Sequence, residues 1–168
     1  MADSVETGDF VISRVFQAPR QRVWDAWTRP EMLTRWFGPK GTATTVMRLE
    51  LRPGGVMHAR MDTADGARLW ARFVYREVAP PTRLVWVHAF SNEQGELARS
   101  PFNGSWPMEL LTVVTFEDTP GGTKVTLRWT PINATAEELA NFEEAKPGMQ
   151  GGWGGSFEVL DLYLAQPA

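Results

Sequence analysis

The hydrophobic and polar positions of this chain change period along its length, and each change marks a new element. FVISRVFQA (10–18) alternates as a strand does. PRQRVWDAWTR (19–29) shifts to helical spacing, with Pro19 at a first helical position and Val23, Trp24 and Trp27 on one face. PEMLTRWFG (30–38) repeats the device, opening on Pro30 and stopping at Gly38. From residue 44 the pattern is strand and turn. TTVMRLEL runs to RPGG (52–55), VMHARMD to TADG (63–66) and RLWARFVYREV to APPT (79–82), and RLVWVHAF follows. A polar stretch, 91–106, interrupts; then MELLTVVTFE and KVTLRWT flank the hairpin turn DTPGG (118–122). Strands joined by short turns predict an antiparallel meander.

Helical spacing returns at the end. Thr135 and Glu138 form a capping box ahead of AEELANFEE. Pro147 is placed to open a last helix, whose apolar stripe is Met149, Trp153, Phe157, Leu160 and Leu164. Four glycines crowd its first half, although each costs roughly 1 kcal/mol in a helix relative to alanine. At 100° per residue, Gly148, Gly151 and Gly155 share the face opposite Trp153, and Gly152 and Gly154 flank the stripe. Two expectations follow. The glycine ridge admits a second backbone, from the 136–145 helix or another subunit, and the flanking pair leaves room beside Trp153. The alternative is an irregular loop over 147–152. The order strand, two helices, six strands, helices predicts an α+β chain with a long helix laid on a curved sheet.

Composition narrows the class. A chain of 168 residues with 43% hydrophobic and 22% charged residues suits one soluble domain over 1–168. No apolar run reaches the roughly 18 residues of a membrane span. The start, MADSVETGDF, lacks the basic and apolar segments of a secretion signal, so a cytoplasmic protein is expected. Without cysteine there are no disulfides, thiolate metal sites or cysteine nucleophiles. A net charge of −3 with scattered basic residues suggests no nucleic-acid surface. His58 and His88 lie thirty residues apart without metal-ligand spacing, Ser156 lacks a nucleophile elbow, and the glycines match no phosphate loop. No metal, cofactor or catalytic constellation is expected.

RVFQAPRQRVWDAWTRPEMLTRWFGP (14–39) resembles the entry segment of the family related to the activator of the heat-shock protein 90 ATPase, within the START-like or SRPBCC superfamily. LRPGG (51–55), VYREVAPPTRLVW (74–86), TVVTFED (112–118) and MQGGWGGSFEVLDLYLA (149–165) match in the same order, so the likeness spans about residues 9–165. Glu50 stands where the family commonly has aspartate, and Phe73 where it commonly has glycine; the added ring is expected to reshape any cavity there. The resemblance implies a helix-grip fold, a curved antiparallel sheet around a long C-terminal helix with a pocket between. Superfamily members bind lipids, hormones or polyketides, and a few are enzymes. It is compatible with a monomer or a homodimer.

Within that frame, Leu84, Trp86, His88 and Phe90 share one strand face. Alternation and the helical stripe assign the pocket to Trp86, His88, Leu110 and Thr112 on the sheet and Met149, Trp153 and Phe157 on the helix. His88 has three open roles: a core-edge histidine, a polar contact for a ligand, or an acid–base group. Trp70, Trp86 and Trp153 are open between core and ligand platform. Arg72 and Glu109 are expected to point outward unless paired inside. The expected partner is a small hydrophobic or amphipathic molecule bound without covalent chemistry. Two alternatives stand beside it: a chaperone-modulating interaction protein in the stress response, and a cyclase- or hydrolase-like enzyme using the same cavity. The polar loop 91–106 is expected to move against the pocket mouth.

Overall fold

The computed structural model describes residues 9–167. The first eight residues, part of the polar start that carries the expectation on localisation, lie outside that range. Seven strands, β1 (Phe10–Phe16), β2 (Ala43–Leu49), β3 (Val56–Asp62), β4 (Arg68–Ala79), β5 (Arg83–Phe90), β6 (Glu109–Thr119) and β7 (Gly122–Ile132), form one sheet in the order β1-β7-β6-β5-β4-β3-β2. Every neighbouring pair is antiparallel. Helices α1 (Arg20–Thr28) and α2 (Pro30–Leu33) connect β1 to β2, the two edge strands, and α3 (Ala136–Leu164) follows β7. This is the helix-grip arrangement.

Local chemistry sets the register. β6 and β7 meet through Pro120 and Gly121, with Thr119 opposite Gly122. Gly122 has φ +139°, and a Cβ there would lie 2.1 Å from the Phe16 carbonyl oxygen, so only glycine fits. The register shifts between Val46 and Arg48 in β2 and between Tyr75 and Glu77 in β4. Such bulges bend a sheet, and here they help curve it about α3. Glu50 accepts a hydrogen bond from the Val56 amide at 3.2 Å and so closes the RPGG turn with its side chain. Arg48 bonds the same carboxylate at 2.9 Å and holds its pKa below the usual range.

α3 starts as the capping box requires. Thr135 Oγ1 accepts from the Glu138 amide at 3.1 Å, and the Thr135 amide donates to Glu138 Oε1 at 3.0 Å. The helix then runs unbroken for 29 residues, with Pro147 inside it. This corrects the expectation that Pro147 opens a separate last helix, and it removes the loop alternative for 147–152. Proline deletes one helical N–H, leaving the carbonyl four residues back without its partner. That residue, Glu143, is exposed, as is Pro147, so water can take the freed carbonyl. Phe142, packed on Trp106 at 5.7 Å, and Met149 are both buried and anchor the helix in the core on either side of the break.

The core lies between α3 and the concave sheet face. Phe157 is fully buried and meets Phe16 edge to face at 5.4 Å. Trp27 of α1 lies parallel to Trp153, 6.2 Å away and 11° between planes. At the β1 edge, Arg14 Nε donates to Asp161 at 2.8 Å, tying α3 to the sheet.

Candidate functional site

Between the sheet and α3 lies a cavity of about 410 Å³, open at one side. Four strands supply its floor, largely through the alternation of their side chains: Met61 from β3, Phe73 from β4, Trp86, His88 and Phe90 from β5, and Trp129 from β7. α3 supplies Ala145, Gly148, Met149, Gly152, Trp153 and Ser156, one face at three- and four-residue spacing. Phe37 and Gly38 close one end. Their segment is held by its carbonyls: Thr44 Oγ1 donates to the Phe37 oxygen at 2.5 Å, and Ser156 Oγ donates to the Gly38 oxygen at 2.6 Å.

Four of the expected site residues, Trp86, His88, Met149 and Trp153, therefore meet around one cavity. Leu110, Thr112 and Phe157 do not reach it. All three are buried in the core instead. Trp129 and Trp153 both line the cavity and meet edge to face at 5.7 Å, so their rings bound it on the side of β6 and β7. Phe157 turns one step further round α3, towards Phe16. Trp129 was legible in principle. Counting back from the two-residue hairpin, Thr112 pairs with Trp129, so a pattern that admits one admits the other. Phe37 and Phe102 come from irregular segments, where no period announces a side chain's direction.

The glycines have a different task from the one their helical wheel suggests. A Cβ at Gly148, Gly151, Gly152 or Gly154 would meet nothing within 4 Å. Among the described residues no other backbone approaches the ridge, and the 136–145 segment is part of the same helix, which rules it out as the partner. Gly148 and Gly152 instead border the cavity, where the missing side chains leave its mouth open. Gly155 faces the Lys40 side chain, whose Cβ would lie 3.2 Å from an added methyl.

Among the described residues, His88 is the one titratable group in the lining. Its ring lies flat on Phe73, 4.7 Å between centroids and 5° between planes, with Trp129 at 5.6 Å. His88 is half-buried and lines the cavity. Loss of hydration pushes its pKa down to about 4, so the imidazole is neutral at pH 7. Nδ1 is sealed and has no hydrogen-bond partner. The Trp86 and Trp129 indole N–H groups and the Tyr75 hydroxyl are also sealed and unpaired, and burial pushes the Tyr75 pKa up. Phe73 thus forms part of the wall and covers one face of His88.

Trp70 reaches the cavity rim and stacks on His58 at 5.2 Å. Arg72 leaves the cavity and donates to the Gly95 carbonyl at 3.4 Å, and Glu109 lies outside the lining as well. Within the 91–106 loop, Phe102 is 70% exposed and leans over the mouth, 6.3 Å from Phe90. The loop is pinned to α3 on both sides of Phe102, by Arg99 to Glu138 at 2.6 Å and by the Ser105 carbonyl to Asn141 at 3.0 Å. Among the described residues, no three His, Asp or Glu side chains gather where a metal could sit, and no helix is long and apolar enough to cross a membrane.

Comparison with known proteins bears on this geometry. Residues 17–165 match the family described as "Activator of Hsp90 ATPase homolog 1-like protein". The chain belongs to this family. A crystal structure of a Mycobacterium smegmatis protein is 26% identical, superposes with a TM-score of 0.78, and is matched over 97% of this chain and 94% of its own. A solution structure from Arthrobacter aurescens is 27% identical at a TM-score of 0.79, over 98% and 90% of the two chains. A crystal structure from Silicibacter pomeroyi shares the fold at 17% identity and a TM-score of 0.72, over 94% and 97%. No functionally curated protein matches the sequence. The family's fold is of the kind that typically binds hydrophobic ligands.

Proposed function

We propose that this protein, as one such domain over its whole length, binds a small hydrophobic or amphipathic molecule between the sheet and α3 without covalent chemistry. The observation that carries the reading is the cavity itself: about 410 Å³, walled by apolar and aromatic side chains, with one neutral imidazole among them. Its size falls within the range of small-molecule sites, and a largely apolar wall with few convergent polar groups is their usual composition. Binding is favoured over acid–base chemistry because the lining has no carboxylate to orient His88 or to exchange a proton with it. Native mass spectrometry of the protein purified from its own host tests the proposal. A co-purifying small molecule, lost on Gly152→Leu, supports it. Apo protein from the host, together with no binding of any apolar probe, removes it.

A further inference from the structure

We infer that the occupant is an uncharged, flat aromatic molecule of about two to three rings, bearing one hydrogen-bonding group that meets His88. The inference rests on the binding reading above and adds the chemical class.

Charge is the first argument. Among the described residues, the lining holds no Asp, Glu, Lys or Arg. Cations next to the lining are engaged elsewhere: Lys40 with Glu158 at 2.9 Å, Lys146 with Glu143 at 2.8 Å, Arg99 with Glu138 at 2.6 Å, and Arg72 with the Gly95 carbonyl at 3.4 Å. A carboxylate or phosphate inside the cavity would be a buried charge without a partner, which is strongly disfavoured. Shape is the second argument. The walls are ring systems held by one another: His88 flat on Phe73, Phe73 edge-on to Trp86 at 5.7 Å, and Phe37 edge-on to Phe73 at 5.5 Å. Such a wall offers ring faces and edges in fixed positions. A rigid planar ligand matches them with little ordering cost, whereas a flexible chain must freeze its torsions. Size is the third. An apolar cavity of about 150 Å³ holds one benzene, so about 410 Å³ holds two to three fused rings. The polar contact is the fourth. His88 Nδ1 is sealed, so only Nε2 can meet a ligand. A phenolic hydroxyl both donates and accepts, so it suits either tautomer of the neutral ring.

Five probes of similar size test the class by calorimetric titration of the full chain: 2-naphthol, naphthalene, decahydro-2-naphthol, 1-decanol and 2-naphthoate. The expected result is that 2-naphthol binds about ten-fold more tightly than decahydro-2-naphthol and 1-decanol, which keep the hydroxyl and lose the flat ring. The 2-naphthoate anion is expected to bind at least about ten-fold more weakly than 2-naphthol. In His88→Phe, the preference for 2-naphthol over naphthalene disappears while naphthalene still binds. Equal or tighter binding of 1-decanol or decahydro-2-naphthol overturns the aromatic class and leaves the binding function standing. Tight binding of 2-naphthoate overturns the requirement for a neutral ligand. Failure of all five probes on folded protein overturns the class, and it removes the binding function as well only when the protein purified from its host is also apo.

Discussion

Replacing Gly151 by alanine should stabilise this protein, which is unexpected for a residue in so marked a cluster. Gly151 is in the interior of α3, and an added Cβ there meets nothing within 4 Å. The substitution therefore removes backbone freedom from the unfolded chain without adding a clash, for a gain of about 0.5–1 kcal/mol. At this chain length that is a rise in melting temperature of about 1–4 °C. Gly152→Ala should gain a similar amount, since its surroundings are equally open. The two positions differ only in that Gly152 borders the cavity and Gly151 does not. Gly151→Ala should thus leave 2-naphthol affinity unchanged. Gly152→Leu, which hangs a side chain over the mouth, should keep the fold and weaken binding at least about ten-fold, because the ligand must displace or clash with it. The assay is thermal unfolding with sedimentation velocity for each variant, followed by titration. A lower melting temperature for Gly151→Ala, with a fall in sedimenting mass, would refute the reasoning: a second copy of the chain would then cover the ridge, and the glycines would serve contact.

The other predictions use different groups. His88 has its pKa lowered in the folded state, so the unfolded chain binds more protons between pH 6.5 and about 4. Its stabilising contribution is complete above pH 6.5 and is lost as pH falls towards 4, by about 3 kcal/mol in all; urea titrations across that window should show the loss in the native protein and not in His88→Phe, and parallel slopes would contradict it. Gly122→Ala forces a side chain into φ +139° and against the Phe16 carbonyl, and should lower stability by about 2–3 kcal/mol or prevent folding, seen as a lower urea midpoint or loss of soluble protein. Arg99→Ala releases one of three hydrogen-bonded ties between α3 and the loop carrying Phe102; the other two run from Ser105 to Glu137 and Asn141. Amide exchange across 99–106 should then quicken while β5 and β6 stay protected, and unchanged exchange would argue against a loop that gates the mouth.

The sequence by itself determined the elements and the family. Strand alternation, the two-residue hairpin at Pro120 and Gly121, the capping box of Thr135 and Glu138 and the stripe on α3 are local signals. Each is complete within a few residues, so each is readable without the fold. The inward direction of Trp86 and His88 followed from the same alternation, as did that of Met149 and Trp153 from helical spacing. What periodicity could not supply was distance between elements. Leu110 and Thr112 share an inward face with His88, yet Trp129 and Trp153 bound the cavity before it reaches them. Phe37 and Phe102 enter from turns, the first held through the bond from Ser156 to the neighbouring Gly38 carbonyl and the second by loop anchors, neither of which a local pattern encodes. Pro147 reads locally as a helix start, and only burial of Phe142 and Met149 in the core on both sides carries the helix through it. The glycines are the clearest case. Their wheel positions were legible, but whether a bare helix face admits a backbone, faces water or opens a cavity depends on what stands opposite, and that is a property of the packed structure alone.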